Sequence, residues 1–163
     1  MFKLKWMSLI VLGVLLLTSA NEGLGQGGEK IILAASITSS QEVPIPDGGV
    51  PGGAVGTATM LFDPSTNTLQ VALAWSGLSG PAGAAHFHNA AVGSAGGVVQ
   101  TICGSPDPAL AGACSMGGNS GFVTGTWQVP GDQVGALLSG ELYINVHTGD
   151  HPAGEIRGQV LPQ

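Results

Sequence analysis

The residues best suited to chemistry are three histidines and one glutamate, His86, His88, His147 and Glu155, in two separate segments. Residues two apart in a β-strand project from the same face, so His86 and His88 would lie side by side. β-Proteins bind Zn or Cu with two histidines of one strand and a distant third, and a nearby carboxylate can ligate or orient a ring. The pattern predicts a candidate metal site of His86, His88, His147 and Glu155.

Each of these residues also has a purely structural interpretation. The histidines could be hydrogen-bonding residues that stabilise one face of a sheet, and Glu155 could pair with Arg157 to fix strand register. The fourth histidine, His151, precedes a proline in a polar turn and is expected to be exposed. The sequence contains neither a GxSxG nucleophile motif nor a phosphate-binding glycine pattern followed by a helix. The sequence names no catalytic residue and favours a protein that is not an enzyme.

Alternating apolar and polar residues predict the strands that would position this site. In the segment 142–147, Leu142, Ile144 and Val146 would face a core, while Tyr143, Asn145 and His147 share the other face. The returning segment adds a second polar row of Glu155, Arg157 and Gln159. The site forms only if the strand that contains His86 and His88 lies beside this hairpin.

The same alternation predicts strands along the rest of the chain, over residues 31–38, 55–62, 68–76, 84–90, 98–103, 120–129, 142–147 and 155–161. Residues 132–139 predict at most one short helix, with Asp132 as N-cap and Gly140 as the C-terminal stop. Trp75 and Trp127 are expected in the core. Seven or eight short strands separated by turns indicate an all-β, antiparallel sandwich or barrel.

The N-terminus predicts export. Residues 1–20 have two lysines, a short apolar run and a small-residue end, which together are typical of a signal peptide and too short for a comfortable membrane span. Residues 21–29 would form a flexible lead-in, and residues 30–163 a single β domain. Cleavage after residue 20 leaves two basic residues against ten acidic ones, which excludes nucleic acid and anionic membranes as electrostatic partners. We expect a secreted, periplasmic or cell-surface protein.

The two cysteines, Cys103 and Cys114, enclose ten residues rich in Pro, Gly and Ala. In an exported protein such a pair predicts a disulfide, worth about 2–3 kcal/mol for a loop of this length. A two-thiolate metal site is the alternative, which no CxxC spacing supports.

Four motifs together resemble a known family: QEVP at Gln41–Pro44, HFH at His86–His88, ELYINVHT at 141–148 and GEIRGQV at 154–160. They resemble the CHRD domain, a module named for chordin and found in many secreted bacterial proteins. The resemblance extends from about residue 32 to 161. It implies a secreted, all-β, immunoglobulin-like or related sandwich that acts as a single extracellular module. We expect a binding or structural module whose partner is an unidentified extracellular protein or a metal ion. Growth-factor capture by chordin does not carry over, because the chain lacks chordin's Cys-rich modules.

A looser likeness exists to Cu/Zn superoxide dismutase, which also combines a secreted β-barrel, an HxH strand and a disulfide. Here no histidine-rich zinc loop follows His88. Superoxide dismutation with bound Cu or Zn is therefore the alternative function.

Overall fold

The computed structural model describes residues 28–46, 53–114 and 118–163; the predicted signal peptide and residues 21–27 of the predicted lead-in lie outside these ranges. The described residues form nine strands and one α-helix, which confirms the all-β prediction. The strands are β1 (Ile31–Thr38), β2 (Val55–Asp63), β3 (Thr68–Ser76), β4 (Ala82–Asn89), β5 (Gly97–Gly104), β6 (Gly121–Gln128), β7 (Leu142–Thr148), β8 (Ile156–Gln159) and β9 (Leu161–Pro162). A 3-10 turn (Ser39–Gln41) follows β1, and the helix α1 (Gly131–Ser139) precedes β7.

All nine strands belong to one sheet that curls into a nearly closed barrel. Its order is β5-β4-β7-β8-β1-β2-β3-β6, and β9 pairs additionally with β1. Each pairing between these strands is antiparallel. The histidine strand β4 therefore lies directly beside β7, as the candidate site requires.

The segment after β5 packs between the two edge strands β5 and β6. Its Leu110 and Ala111 N–H groups donate to the Thr101 and Ile102 carbonyls of β5. On the other side Leu110 meets Gly125 of β6, where an added Cβ would lie 2.6 Å from the Leu110 Cβ. A glycine at position 125 thus lets this segment approach β6.

The core contains the apolar residues that alternate along each strand. Trp75 and Trp127 are both buried, as predicted. On β4, Phe87 turns away from the histidines and stacks on Trp127, with ring centroids 5.2 Å apart. One face of β4 therefore supplies core packing and the other supplies the histidines.

The predicted helix is present, and Gly140 ends it in the left-handed conformation, with φ 77°. The prediction of Asp132 as N-cap is wrong. The helix begins at Gly131 after Pro130, whose extended backbone (φ −57°, ψ 142°) takes the capping position, so Asp132 lies in the first turn. Its carboxylate still faces the positive end of the helix dipole.

Cys103 and Cys114 form a disulfide across a sequence separation of 11, which confirms the predicted bridge. Both half-cystines are buried. The bridge joins the end of β5 to the far end of the segment that packs against β6.

Candidate metal centre

The pairing of β4 with β7 brings His86, His88 and His147 together. In this register His86 lies opposite Asn145, His88 opposite Tyr143, and Ala84 opposite His147. One ring nitrogen of each histidine lies within 4.8 Å of a ring nitrogen of the other two. The shortest separation, 2.9 Å, joins His86 Nδ1 to His147 Nε2.

Each ring also has an outer nitrogen within hydrogen-bond distance of a backbone carbonyl. These pairs are His86 Nε2 with Ser105 O at 2.7 Å, His88 Nδ1 with Gly96 O at 2.9 Å, and His147 Nδ1 with Pro152 O at 3.1 Å. A carbonyl only accepts, so the hydrogen-bond partners assign the hydrogen of each neutral ring to this outer nitrogen. Histidine ligands of metals are commonly held by such carbonyls.

When a ring of this cluster is neutral, its inner nitrogen therefore carries a lone pair. His88 Nε2 is buried and has no hydrogen-bond partner within residues 28–46, 53–114 and 118–163. His86 Nδ1 and His147 Nε2 would place two lone pairs 2.9 Å apart, an arrangement that repels unless a proton or a cation lies between them. Nitrogens that share one tetrahedral metal ion lie about 3.3 Å apart, given bonds of about 2.0–2.1 Å. The 2.9 Å pair is near this distance, whereas the three nitrogens as a group spread over up to 4.8 Å and must close up before they share one ion.

Burial disfavours the protonated forms of His88 and His147. His86 and His88 are 7% and 8% exposed, and His147 is half-buried. Desolvation is the main cause that lowers the pKa of His88. Desolvation, together with the neighbouring His86, lowers the pKa of His147 to about 4. His88 and His147 are thus neutral at pH 7, which is the form that binds metals.

The polar face that continues from the histidines is buried as well, which the sequence did not indicate. Tyr143 stacks on His88, with centroids 4.8 Å apart and planes 10° from parallel. The Arg157 guanidinium carbon lies 3.5 Å from the centre of the same Tyr143 ring, in cation–π geometry. Asn145 and Gln159 complete this face and are also buried.

Glu42 covers this face from outside the sheet, and sequence reasoning did not single it out. It belongs to the QEVP motif, and its Oε2 accepts a hydrogen bond from Asn145 Nδ2 at 3.2 Å. Burial raises its pKa to about 7, against the lowering effect of the Arg157 charge. The motif itself was the signal that could have identified Glu42 as part of the site's surroundings.

Glu155 is not part of the histidine cluster. Its carboxylate is fully buried and accepts hydrogen bonds from Ser79 N (2.6 Å), Ser79 Oγ (2.7 Å) and Thr148 Oγ1 (2.5 Å). β8 begins only at Ile156, so Glu155 lies in the preceding turn and does not follow the alternation of Arg157 and Gln159. Among the described residues the one ion pair joins Lys30 to Asp63, so Glu155 and Arg157 do not form the alternative ion pair.

The expectation that His151 is exposed is wrong, because it is half-buried in the same turn; it lies outside the cluster. It therefore provides a natural control for experiments on the other three histidines.

The fold and the site define a disulfide-containing, all-β module with a buried three-histidine cluster. The chain belongs to the CHRD domain family, because the family model of the CHRD domain matches residues 33–160. No curated protein and no solved structure matches the chain.

Family membership supports an extracellular module, and the disulfide is consistent with an oxidising compartment. In the part of the chain that the structure describes, no helix has the length and apolarity needed to cross a membrane. The histidine cluster by itself is not evidence for superoxide dismutation.

Proposed function

We propose that this protein is an extracellular CHRD module that binds one transition-metal ion, Cu or Zn, through His86 Nδ1, His88 Nε2 and His147 Nε2. The proposal places the module in the periplasm, at the cell surface or in the medium, after removal of residues 1–20. Its role is binding rather than catalysis.

One observation carries the proposal: three inner nitrogens converge while a backbone carbonyl holds the outer nitrogen of every ring. A histidine that only stabilises a sheet would use both nitrogens in hydrogen bonds within the protein. Among the described residues His88 Nε2 has no partner, and His86 Nδ1 and His147 Nε2 lie 2.9 Å apart, which requires a proton or a cation between them. A metal ion supplies the missing partner for all three nitrogens at once.

The ligand set favours Zn²⁺ or copper over hard cations. Imidazole nitrogen suits Zn and Cu, whereas Mg²⁺ and Ca²⁺ prefer oxygen ligands. Glu155 is excluded from the proposed set because Ser79 and Thr148 occupy its carboxylate. Three nitrogen ligands leave a fourth position for water or for a group of an extracellular partner.

The test is metal binding by the chain that lacks residues 1–20. Isothermal titration with Zn²⁺ and Cu²⁺, followed by elemental analysis after dialysis, should give one ion per chain. His86→Ala and His147→Ala should each lower the affinity at least about 100-fold, because each removes a ligand. His151→Ala is the matched control and should bind like the wild type. Binding that survives the double variant of His86 and His147, or that depends equally on His151, would contradict the proposed site.

A further inference from the structure

We propose that Tyr143 is a positioning residue that fixes the ring of His88 and holds its lone pair toward the other two histidines. This inference deepens the proposed function, and its part on metal affinity rests on that function. It assigns a role to the chain's only tyrosine, which comes from the ELYINVHT motif.

The first observation is a stack of three planar groups. β7 lies between β4 and β8 in the sheet, so His88 and Arg157 reach Tyr143 from opposite flanking strands. The imidazole lies parallel to the phenol ring, and the guanidinium lies over it at 3.5 Å. The phenol ring of Tyr143 is held between the imidazole and the guanidinium, so it has little freedom to tilt. It therefore sets the plane of the His88 ring that stacks on it.

The second observation is that Tyr143 and His88 both hydrogen-bond to the backbone of one residue, Gly96. Gly96 N–H donates to Tyr143 Oη at 3.1 Å, and Gly96 O accepts from His88 Nδ1 at 2.9 Å. A Cβ at Gly96 would collide with the Asn89 carbonyl, so the loop takes this path only with glycine. The phenol hydroxyl also donates to Gly96 O at 3.4 Å, so it holds the residue whose carbonyl keeps the hydrogen of His88 on Nδ1.

Together the two contacts determine both the plane and the tautomer of His88. Without them the imidazole could rotate or move its hydrogen to Nε2, and either change would remove the buried lone pair from the cluster. Tyr143 itself supplies no ligand, because its hydroxyl is used by Gly96.

The experiment compares Tyr143→Phe and Tyr143→Leu with the wild type. Phe keeps the stack and loses the hydroxyl, whereas Leu loses both. Phe122→Leu is the matched control. Phe122 is 64% exposed, so this substitution removes an aromatic ring at the surface. Two readouts apply: long-range ¹⁵N–¹H NMR spectra of the metal-free histidine rings, which report tautomers directly, and Zn²⁺ affinity by titration.

We expect His88 to carry its hydrogen on Nδ1 in the wild type and in Phe122→Leu. In Tyr143→Phe the ring should show partial tautomer averaging, and in Tyr143→Leu a dominant Nε2–H form. Zn²⁺ should bind several-fold more weakly to Tyr143→Phe and about 10–100-fold more weakly to Tyr143→Leu, the range seen when groups that orient a metal ligand are lost. An unchanged His88 tautomer in Tyr143→Leu, or in Tyr143→Phe if the leucine variant does not fold, would overturn the inference.

Failure of the proposed function gives a different result. If the wild type binds neither Zn²⁺ nor Cu²⁺, the proposed function fails and metal affinities cannot be compared. The His88 tautomers of the metal-free proteins still decide whether Tyr143 positions His88.

Discussion

On the buried polar face, the carboxyl group of Glu42 lies near the positive charge of Arg157. Arg157 is 2% exposed and has only long hydrogen bonds, to Ala91 O at 3.4 Å and to Gln159 Oε1 at 3.5 Å. The Arg157 charge lowers the pKa of the nearby Glu42, but burial has the larger effect and raises this pKa from 4.5 to about 7. Glu42 therefore exchanges its proton close to neutral pH, which couples the stability of the fold to pH.

The sign of this coupling follows from the direction of the shift. Between pH 4.5 and 7 the folded protein keeps a proton on Glu42 that the unfolded chain has lost. The free energy of unfolding therefore falls as the pH rises through this range, by at most about 3 kcal/mol from this group. The lowered pKa of His147 acts oppositely, because its stabilising contribution is lost as the pH falls toward 4.

We predict that Glu42→Gln removes the part of the decrease in the free energy of unfolding with rising pH that Glu42 causes. Urea unfolding of the metal-free protein at pH 5, 6, 7 and 8 gives the free energy of unfolding of each protein. Subtracting the wild-type value from the variant value at each pH cancels the effect of His147, which both proteins share. That difference should shift in favour of Glu42→Gln as the pH rises. Glu141→Gln, a change at an exposed glutamate, should give a flat difference. A flat difference for Glu42→Gln as well would refute the assignment.

At the scale of elements, β4 separates two tasks between its faces. Phe87 is fully buried and stacks on Trp127, whereas His86 and His88 face the cluster. Adjacent residues of a strand project to opposite faces, so packing and binding can be changed independently at neighbouring positions.

We predict that Phe87→Leu and His88→Ala have separate effects. Phe87→Leu should lower the free energy of unfolding by about 1–2 kcal/mol through lost packing and stacking, yet leave one metal ion per chain. His88→Ala should lower metal affinity at least about 100-fold, because it removes a ligand as His86→Ala and His147→Ala do. Denaturant unfolding and metal titration on both variants measure the two quantities. Loss of metal binding in Phe87→Leu, with the fold retained, would contradict the separation.

The alternation of apolar and polar residues was enough to predict the strands and the face of each residue in them, because this pattern depends only on residues that are neighbours in the sequence. The face of Tyr143, Asn145 and His147 was thus predictable. Its burial was not, because Glu42, Gly96 and Ser105, which contact this face or the neighbouring His86 and His88 rings, come from three distant segments. The placement of Glu155 could not be predicted either, because the turn at Gly154, with φ 134°, takes that residue out of the alternation.

At the scale of the whole molecule, closure of the barrel depends on residues 105–114. This segment fills the space between β5 and β6, and the disulfide fixes its far end to β5. Its first residue, Ser105, provides the carbonyl that holds His86. The same segment therefore closes the barrel, contains one half of the disulfide and contacts the histidine cluster. The disulfide that holds this segment persists in an oxidising compartment.

We predict that reduction of the Cys103–Cys114 bridge lowers the free energy of unfolding by about 2–3 kcal/mol, the value for a loop of this length. Urea unfolding of the metal-free protein with and without a phosphine reductant measures the difference. The reduced protein should also bind Zn²⁺ more weakly, because a loosened segment no longer holds the Ser105 carbonyl against His86. The double variant Cys103→Ser/Cys114→Ser should be insensitive to the reductant. Equal stability of the oxidised and reduced proteins would show that the packing of Leu110 against Gly125 closes the barrel without the bridge.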